Sequence, residues 1–473
     1  MESSAEFTSQ TVEAGDLAPR KSVPRKTMIL YGFGQTGAQL FRDSPAALLP
    51  LFMTTMLGVA PWLAGIVVLI PKLWVIICDP FMGALSDQYK PRHGRRPFLA
   101  AGAVLTSLGF ISLFSFSGFS SQWAAALTVG LLFFLASTAF SAFSVPYLAV
   151  ASELSEDPHE RTTILAFRMI FAVAGVIMGV GLAQPLVFAL GGDAAAWRTM
   201  AIIFGGLCMF AMLATAFGVP RDYGHSGAVP AMPGKMLLRL SVVKQNRPFM
   251  ILTLTFFIQS IAQASGYAVV GFVFLYAIAD INLLLPFVLV MAVGSVLSQP
   301  MWVKLSRRWG KERAFWVACI GWGLVTITWL WIGPGEDVLV TLPLLGELST
   351  QHSLVLVRAL IIGCTNSGFS VLTFSLLTDT IELQRRKEGS VDEGLFSGIF
   401  SATEKLAFAL GPVLAGLVLS AVGFQSSTGG AVPQDQEAIR GMIWLYSTIP
   451  AGVLALSLAA FTRYHKAAKE ALG

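Results

Sequence analysis

An aspartate inside an apolar helix is the residue of this chain with the most chemistry to offer. Asp79 opens the run Asp79-Pro80-Phe81-Met82-Gly83-Ala84-Leu85-Ser86-Asp87, and Arg92-His93-Gly94-Arg95-Arg96-Pro97 follows it. A carboxylate in hydrocarbon is costly; it binds a cation, takes up a proton, or sits in a static salt bridge, here with Lys405 or Lys72. A degraded copy of the segment lies 220 residues later, where Gln299-Pro300 aligns with Asp79-Pro80 and Leu305-Ser306 with Leu85-Ser86, with Gly310-Lys311 closing the copy. A second half that echoes the first points to an internally repeated membrane architecture.

Few other charges fall within apolar stretches. Arg168-Met169-Ile170-Phe171-Ala172 parallels Lys405-Leu406-Ala407-Phe408-Ala409, which puts two cations at matching depth in the two halves. Facing a central cavity, they would suit hydroxyl-rich or anionic solutes; the alternative is that they merely neutralise Asp79 or Asp43. Gln39, Arg42 and Asp43 are spaced i, i+3, i+4 and share one helix face. Asp43 is a candidate solute ligand beside Gln39, and Gln259 and Gln263 add polar groups further along. Gly83 and Asp87, with Arg95 and Arg96, form a Gly-x-x-x-Asp turn and basic loop. This element is expected to act as a charge latch that holds the two halves together at the cytoplasmic gate.

The elements that must position these residues follow from composition. Of 473 residues, 55% are hydrophobic and only 12% charged, about half the charge of a soluble domain. The pattern predicts an all-α polytopic membrane protein with twelve spans near 28–57, 62–86, 97–117, 122–150, 164–190, 197–218, 248–278, 283–303, 314–334, 353–380, 394–423 and 438–461. Of the 32 Lys and Arg, 25 fall on one side, which predicts cytoplasmic N- and C-termini in a plasma (inner) membrane. The net charge of +5 is thus a topology signal and not a nucleic-acid footprint. The expected organisation is a tail at 1–27, a six-helix bundle at 28–218, a central cytoplasmic loop at 219–247, a second bundle at 248–461 and a tail at 462–473. The polar first stretch has no apolar core, so no cleavable signal peptide is expected. Cys78, Cys208, Cys319 and Cys364 lack paired or metal-like spacing.

At these residues the chain resembles the major facilitator superfamily. Within it, the chain is similar to the glycoside–pentoside–hexuronide:cation symporters (melibiose permease-like carriers), with sucrose transporters as the nearest relatives. The resemblance rests on Tyr31-Gly32-Phe33-Gly34, Asp79-Pro80-x-x-Gly83 with Gly94-Arg95-Arg96-Pro97, Val145-Pro146-Tyr147, Glu160-Arg161-Thr162 with Arg168, and Thr378-Asp379 with Gly394-Leu395-Phe396 and Lys405. It implies the major facilitator fold, with two six-helix bundles rocking about a midplane site. It further implies that Asp79 and Lys405 belong to the cation-coupling site, with hydroxyls at Ser141 and Ser401, and that Arg168 contacts sugar. The chain departs from the family at three telling places. The second cation-site carboxylate is Val75, and the two sugar-binding aspartates fall on Gln39 and Ser144. A lone acid suits a proton better than sodium, which wants several oxygen ligands. The expected coupling ion is therefore H+, with Na+ the alternative, and galactosides are disfavoured as the solute.

The leading expectation is a secondary transporter importing a glycoside or similar hydroxylated small molecule. Two rivals remain: a lysolipid or amphiphile carrier of the same fold, and a non-transporting membrane assembly or delivery factor. The sequence carries no phosphate loop, nucleophile elbow or metal-ligand cluster. No enzyme activity, cofactor or bound metal is expected. Membrane lipid is the expected surroundings, and a monomer is what the resemblance implies.

Overall fold

The computed structural model describes residues 22–155, 157–220, 243, 245–335, 337–342, 346–388 and 393–472. The N-terminal tail up to residue 21 and most of the central loop expected at 219–247 lie outside the described residues.

Twelve helical spans run in order. In the first half these are α1 (Arg25–Met56), α2 (Pro61–His93), α3 (Arg96–Leu113), α4 (Gln122–Leu154), α5 (Pro158–Val176, continued by π-helical Ile177–Leu182 and Ala183–Ala189) and α6 (Ala194–Gly218). In the second they are α7 (Arg247–Phe272, continued by π-helical Val273–Ala277), α8 (Leu284–Trp309), α9 (Lys311–Ile327), α10 (Thr350–Glu388), α11 (Glu393–Ala421) and α12 (Gln436–Tyr446 and Thr448–Phe461). A short α13 (Tyr464–Leu472) follows. Among the described residues, eleven spans are long and apolar enough to cross a membrane. The twelfth, α1, falls short because Gln35, Gln39, Arg42 and Asp43 interrupt its apolar run. A small antiparallel hairpin, β1 (Val340–Leu342) with β2 (Gly346–Leu348), joins α9 to α10; the sequence reading had no strand here.

Local signals set the helix ends. Ser121, Asp193 and Asn246 accept from the backbone N–H groups of Ala124, Ala196 and Phe249 and so cap α4, α6 and α7. Gly94 and Gly310 end α2 and α8 at φ of 68° and 86°. Only glycine takes that conformation without strain, and each lets the next helix start one or two residues later. The two turns are the structural counterpart of the sequence echo.

The packing repeats too. In the first half α1 lies on α5 and α6, α3 on α4 and α6, and α2 on α4; in the second α7 lies on α11 and α12, α9 on α10 and α12, and α8 on α10. The halves meet mainly where α2 crosses α11, α1 meets α7, and the π-helical stretch of α5 meets α8. That stretch exposes Gly181 to Val288 of α8 and brings Gly179 against Ser44 of α1. Insertion of a π turn bends and re-aims a helix, and no sequence signal announced it.

The two ends of the molecule differ. At the end remote from the basic loops, α2 and α11 approach until a Cβ on Gly65 would fall 2.7 Å from the Pro412 carbonyl oxygen, while Gly416 sits reciprocally against Pro61. Backbone bonds zip the same seam: Gly58 N–H donates to Ser427 O (2.8 Å), Ser427 N–H to Thr54 O (2.8 Å) and Gly430 N–H to Thr55 O (3.0 Å). At the basic end no hydrogen bond or ion pair joins the halves among the described residues. This end is open and the other is sealed. Small residues at a helix crossing allow close van der Waals approach, the main attraction available between apolar helices in lipid. Gly65→Leu should therefore overpack the seam by about 1–3 kcal/mol. A cysteine placed by Ser427→Cys should then gain reactivity toward a membrane-impermeant thiol reagent. Unchanged reactivity would show that this crossing does not hold the end shut.

Candidate functional site

Between the halves lies a cavity of about 460 Å³ walled by α1, α2, α4, α5, α7, α10 and α11. Its wall residues Leu148 and Phe374, toward the basic ends of α4 and α10, are half exposed, so it opens at that end.

A ladder of polar side chains climbs α1. Gln35, Gln39 and Asp43 recur every four residues and therefore stack on one face. Gln35 Nε2 donates to Gln39 Oε1 at 2.9 Å, and Gln39 Nε2 to Asp43 Oδ2 at 2.6 Å. From α5, Arg168 Nε donates to Gln35 Oε1 at 2.8 Å, and its guanidinium carbon lies 5.7 Å from the centre of the Tyr147 ring. Tyr147 is itself fixed. It stacks on Tyr31 with ring centres 4.6 Å apart, and each phenol donates to the other's carbonyl oxygen, at 2.9 and 3.2 Å. The brace between α1 and α4 thus gives Arg168 a rigid aromatic floor, a favourable seat for a cation. Gln35 escaped the sequence reading although its spacing, one turn before Gln39, was visible.

Across the cavity Lys405 Nζ of α11 contacts Asp79 Oδ2 of α2 at 2.5 Å. Asp79 Oδ1 is buried and has no hydrogen-bond partner among the described residues. A second bridge between the halves, looser at 3.7 Å, joins Arg42 Nη2 to Glu404 Oε1; Arg42 Nε is 3.9 Å from Asp43 Oδ1. Adjacent side chains on a helix diverge by about 100°, so Arg42 does not fold tightly onto Asp43 and lies at a comparable distance from Glu404 of α11. Ser144, Ser401, Lys72 and Gln263 also line the cavity, as does apolar Val75. Gln263 Nε2 donates to Asn366 Oδ1 at 3.4 Å.

Two expected ligands stand elsewhere. Gln259 is fully buried with Nε2 against Cys319 Sγ of α9 at 3.5 Å. The cavity face of α7 carries Phe256, Gln263 and Tyr267, spaced i, i+7, i+11. Position 259 lies about 60° off that stripe, and the stacking of Phe256 on Phe400, 4.3 Å between centres, closes the gap. Ser141 is fully buried behind the wall, beside the Cys78 thiol.

The expected latch also has a different geometry. Arg95, 6% exposed, donates from Nη1 to Ser86 Oγ at 2.8 Å and from Nη2 to Asp87 Oδ1 (2.6 Å) and Glu153 Oε1 (2.7 Å). Lys90 reaches Glu153 at 2.8 Å. Burial alone would lower the Arg95 pKa, but the hydrogen bonds and charges of Glu153, then Asp87, outweigh it and the net shift is upward. Every member of this network belongs to the first half, so it ties the α2–α3 turn to α4 and does not bridge the halves. Arg96 caps α6, donating to the carbonyl oxygens of Ala216 (3.1 Å) and Val219 (3.2 Å). A Cβ on Gly83 would meet Val145 at an ordinary 3.4 Å, so no close approach demands glycine there. The second half repeats the arrangement as Lys311 Nζ to Asp379 Oδ1 at 2.6 Å.

Comparison with known proteins places the chain among membrane carriers. YagG of Escherichia coli (strain K12), provisionally described as a glycoside/cation symporter, is 22% identical over 90% of this chain and 88% of its own. The isoprimeverose transporter of Lactiplantibacillus pentosus is 22% identical over 96% of this chain and 92% of its own. Among solved structures, the nucleoside transporter NupG superposes with a TM-score of 0.60 at 16% identity, covering 94% of this chain and 100% of the other. The model of the family described as "MFS/sugar transport protein" matches residues 30–465. With that match running through all twelve spans, the chain belongs to the MFS sugar transport family, as a multi-pass membrane protein built for secondary transport.

Proposed function

We propose that this protein is a proton-coupled symporter that imports a glycoside-like hydroxylated solute by alternating access. The observation that carries the reading is the Asp79–Lys405 pair, which joins α2 of one half to α11 of the other inside a cavity open at one end. A carboxylate whose one oxygen holds a lysine across the bundle interface, while the other is buried and unpartnered, is placed to exchange its lysine for a proton. That exchange would release one of the ties between the bundles. The relatives named as symporters and as an isoprimeverose transporter support coupling to a cation and a sugar-like cargo. Val75 on the wall, where a second acid would help hold sodium, favours the proton.

In this mechanism the residues spanning 28–218 and 248–461 move as two units about the central loop. The sealed seam at α2 and α11 opens while the basic end closes. The basic end faces the cytoplasm of a bacterial-type inner membrane, following the distribution of Lys and Arg, and one chain forms the working unit. Gln39, Asp43, Ser144, Arg168 and Gln263 hold the solute; Asp79, Lys405 and Ser401 couple it to the ion. The Arg95 network keeps the first bundle rigid.

One observation favours an amphiphile instead: seven phenylalanines line the cavity, among them Phe41, Phe133, Phe140 and Phe408. Solute-induced proton movement in proteoliposomes, screened over glycosides, hexuronates and lysolipids, separates the two. A pH change with sugars, lost in Asp79→Asn while solute counterflow persists, is the expected result. Uptake driven by sodium and indifferent to pH would replace the proton, and a response to lysolipids alone would replace the sugar.

Two further outcomes follow. Lys405→Ala leaves Asp79 charged and unpaired in a cavity that is partly open, which should cost about 1–2 kcal/mol of stability, between the exposed and the fully buried case. Asp79→Asn/Lys405→Ala together should recover most of it in thermal unfolding, and equal losses in single and double variants would show that the pair is not coupled. Asp43→Asn should weaken solute binding by about 1–2 kcal/mol, read as a raised KM; unchanged uptake would remove Asp43 from the site.

A further inference from the structure

A second cavity, of about 90 Å³, lies inside the second half behind α7. Sequence spacing makes room for it. Gln263, Gly266, Tyr267 and Val270 recur at i, i+3, i+4 and i+7, so they share the face of α7 that forms one wall. Gly266 contributes space instead of a side chain: a Cβ there would meet only the Tyr446 ring, at 3.7 Å. Opposite, α12 is broken at Ser447, between Gln436–Tyr446 and Thr448–Phe461. Pro450 explains the break, since it has no N–H to offer the Tyr446 carbonyl oxygen. The 11 residues of the first segment rise about 16 Å, half the depth of the hydrocarbon. Non-helical backbone persists at that depth where it is buried in protein or lines a cavity. Ser447 is fully buried, and Tyr446 and Pro450 on either side of it line this cavity.

The lining sets the chemistry of an occupant. No charged side chain stands on the wall among the described residues. Trp329 is set edge-to-face against Tyr446, with centres 4.7 Å apart, and against Phe287 at 5.6 Å; Trp322 adds a further ring. The Tyr267 and Tyr446 hydroxyls form no hydrogen bond among the described residues. Asn366 is engaged through Oδ1 alone, by Gln263 at 3.4 Å, which leaves its Nδ2 to donate elsewhere. Gln263 and Tyr267 also line the central cavity, so entry from there passes the long Gln263–Asn366 bond. We infer that this cavity binds a small uncharged aromatic ring bearing one hydrogen-bond acceptor, and that the bound ring holds the sealed end shut. Apolar cavities of this kind take up single aromatic rings, and the walls offer edge and face contacts to one. An acceptor on the ring meets the idle hydroxyls and amide, whereas a charge would be desolvated without a partner. Val180, on the π-helical stretch of α5, is the one lining residue from the first half among those described. Parting of the halves where α5 meets α8 removes that wall. An occupant therefore prefers the sealed conformation and shifts the population toward it. The inference is independent of what the central cavity carries.

The probes are acetophenone, its isostere α-methylstyrene, in which a methylene replaces the carbonyl oxygen, and benzoate, which adds a charge. Saturable binding of the radiolabelled neutral probes is measured on the purified full-length protein in proteoliposomes. Gly266→Leu, whose side chain fills the cavity, gives the background for partition into lipid. Acetophenone should bind the wild type saturably, and benzoate should not displace it. Tyr446→Phe should weaken acetophenone about fivefold, the scale of one hydrogen bond, and leave α-methylstyrene unchanged. Thermal unfolding of both variants without probe separates lost binding from lost fold. In the Ser427→Cys protein, acetophenone should slow labelling by a membrane-impermeant thiol reagent. Equal or faster labelling at saturation would overturn the link to the sealed end. Absence of saturable binding in the wild type, or its survival in folded Gly266→Leu, would overturn the site itself. Equal losses of both neutral probes in Tyr446→Phe would overturn the role of the acceptor.

Discussion

A charge buried in hydrocarbon must find its opposite, and in this protein the opposite lies on the other half of the molecule. Asp79 and Lys405 are 326 residues apart in sequence and 2.5 Å apart in space. Neither half can satisfy its own charge at this site without the other, and desolvation makes the unpaired state of either group expensive. The looser Arg42–Glu404 bridge crosses in the opposite sense, cation on the first half and acid on the second. The two bridges tie the bundles together at the cavity, where any rocking motion must break or exchange them. The proposed transport cycle would therefore act on the same few side chains that hold the halves together.

The remainder of the architecture holds that site between a sealed and an open end. The seam of Gly65, Gly416 and the backbone bonds from residues 427–430 closes one side by close packing, without any ion pair among the described residues. The basic end is held within each half by charged networks, Arg95 with Asp87 and Glu153 in the first and Lys311 with Asp379 in the second. This division suits a carrier. Networks that stay inside a bundle keep it rigid while the bundles move, and a seam made of close packing and backbone hydrogen bonds can part without stranding a charge in lipid.

Much of this was legible beforehand. The helical spans and the repeated packing of the two halves follow from composition and spacing, and the structure carries both among its described residues. The cavity-facing set was legible in outline: Gln39, Asp43, Asp79, Ser144, Arg168, Gln263, Ser401 and Lys405 line one space. The failures are equally specific. Gln259 reads like Gln263, one turn apart, and only the rotation of α7 against its aromatic neighbours tells them apart. Arg95 and Arg96 look like a pair of gate residues, yet one crosslinks α2, α3 and α4 while the other caps α6. Tyr147 was noted as part of a motif, not as the floor of a cation. The π-helical turns and the β1–β2 hairpin left no pattern, because each is short and set by neighbouring contacts.

By itself, the sequence determined that this chain lies in a membrane, which residues are costly to place there, and that the two halves repeat. These depend on transfer energies and periodicity, which are local properties of a segment. Only the tertiary structure decided which acid meets which cation, which glutamine faces the cavity, and which end is shut. Those outcomes depend on the docking of helices hundreds of residues apart, where a rotation of less than one residue's turn moves a side chain from a solute cavity into a sealed core.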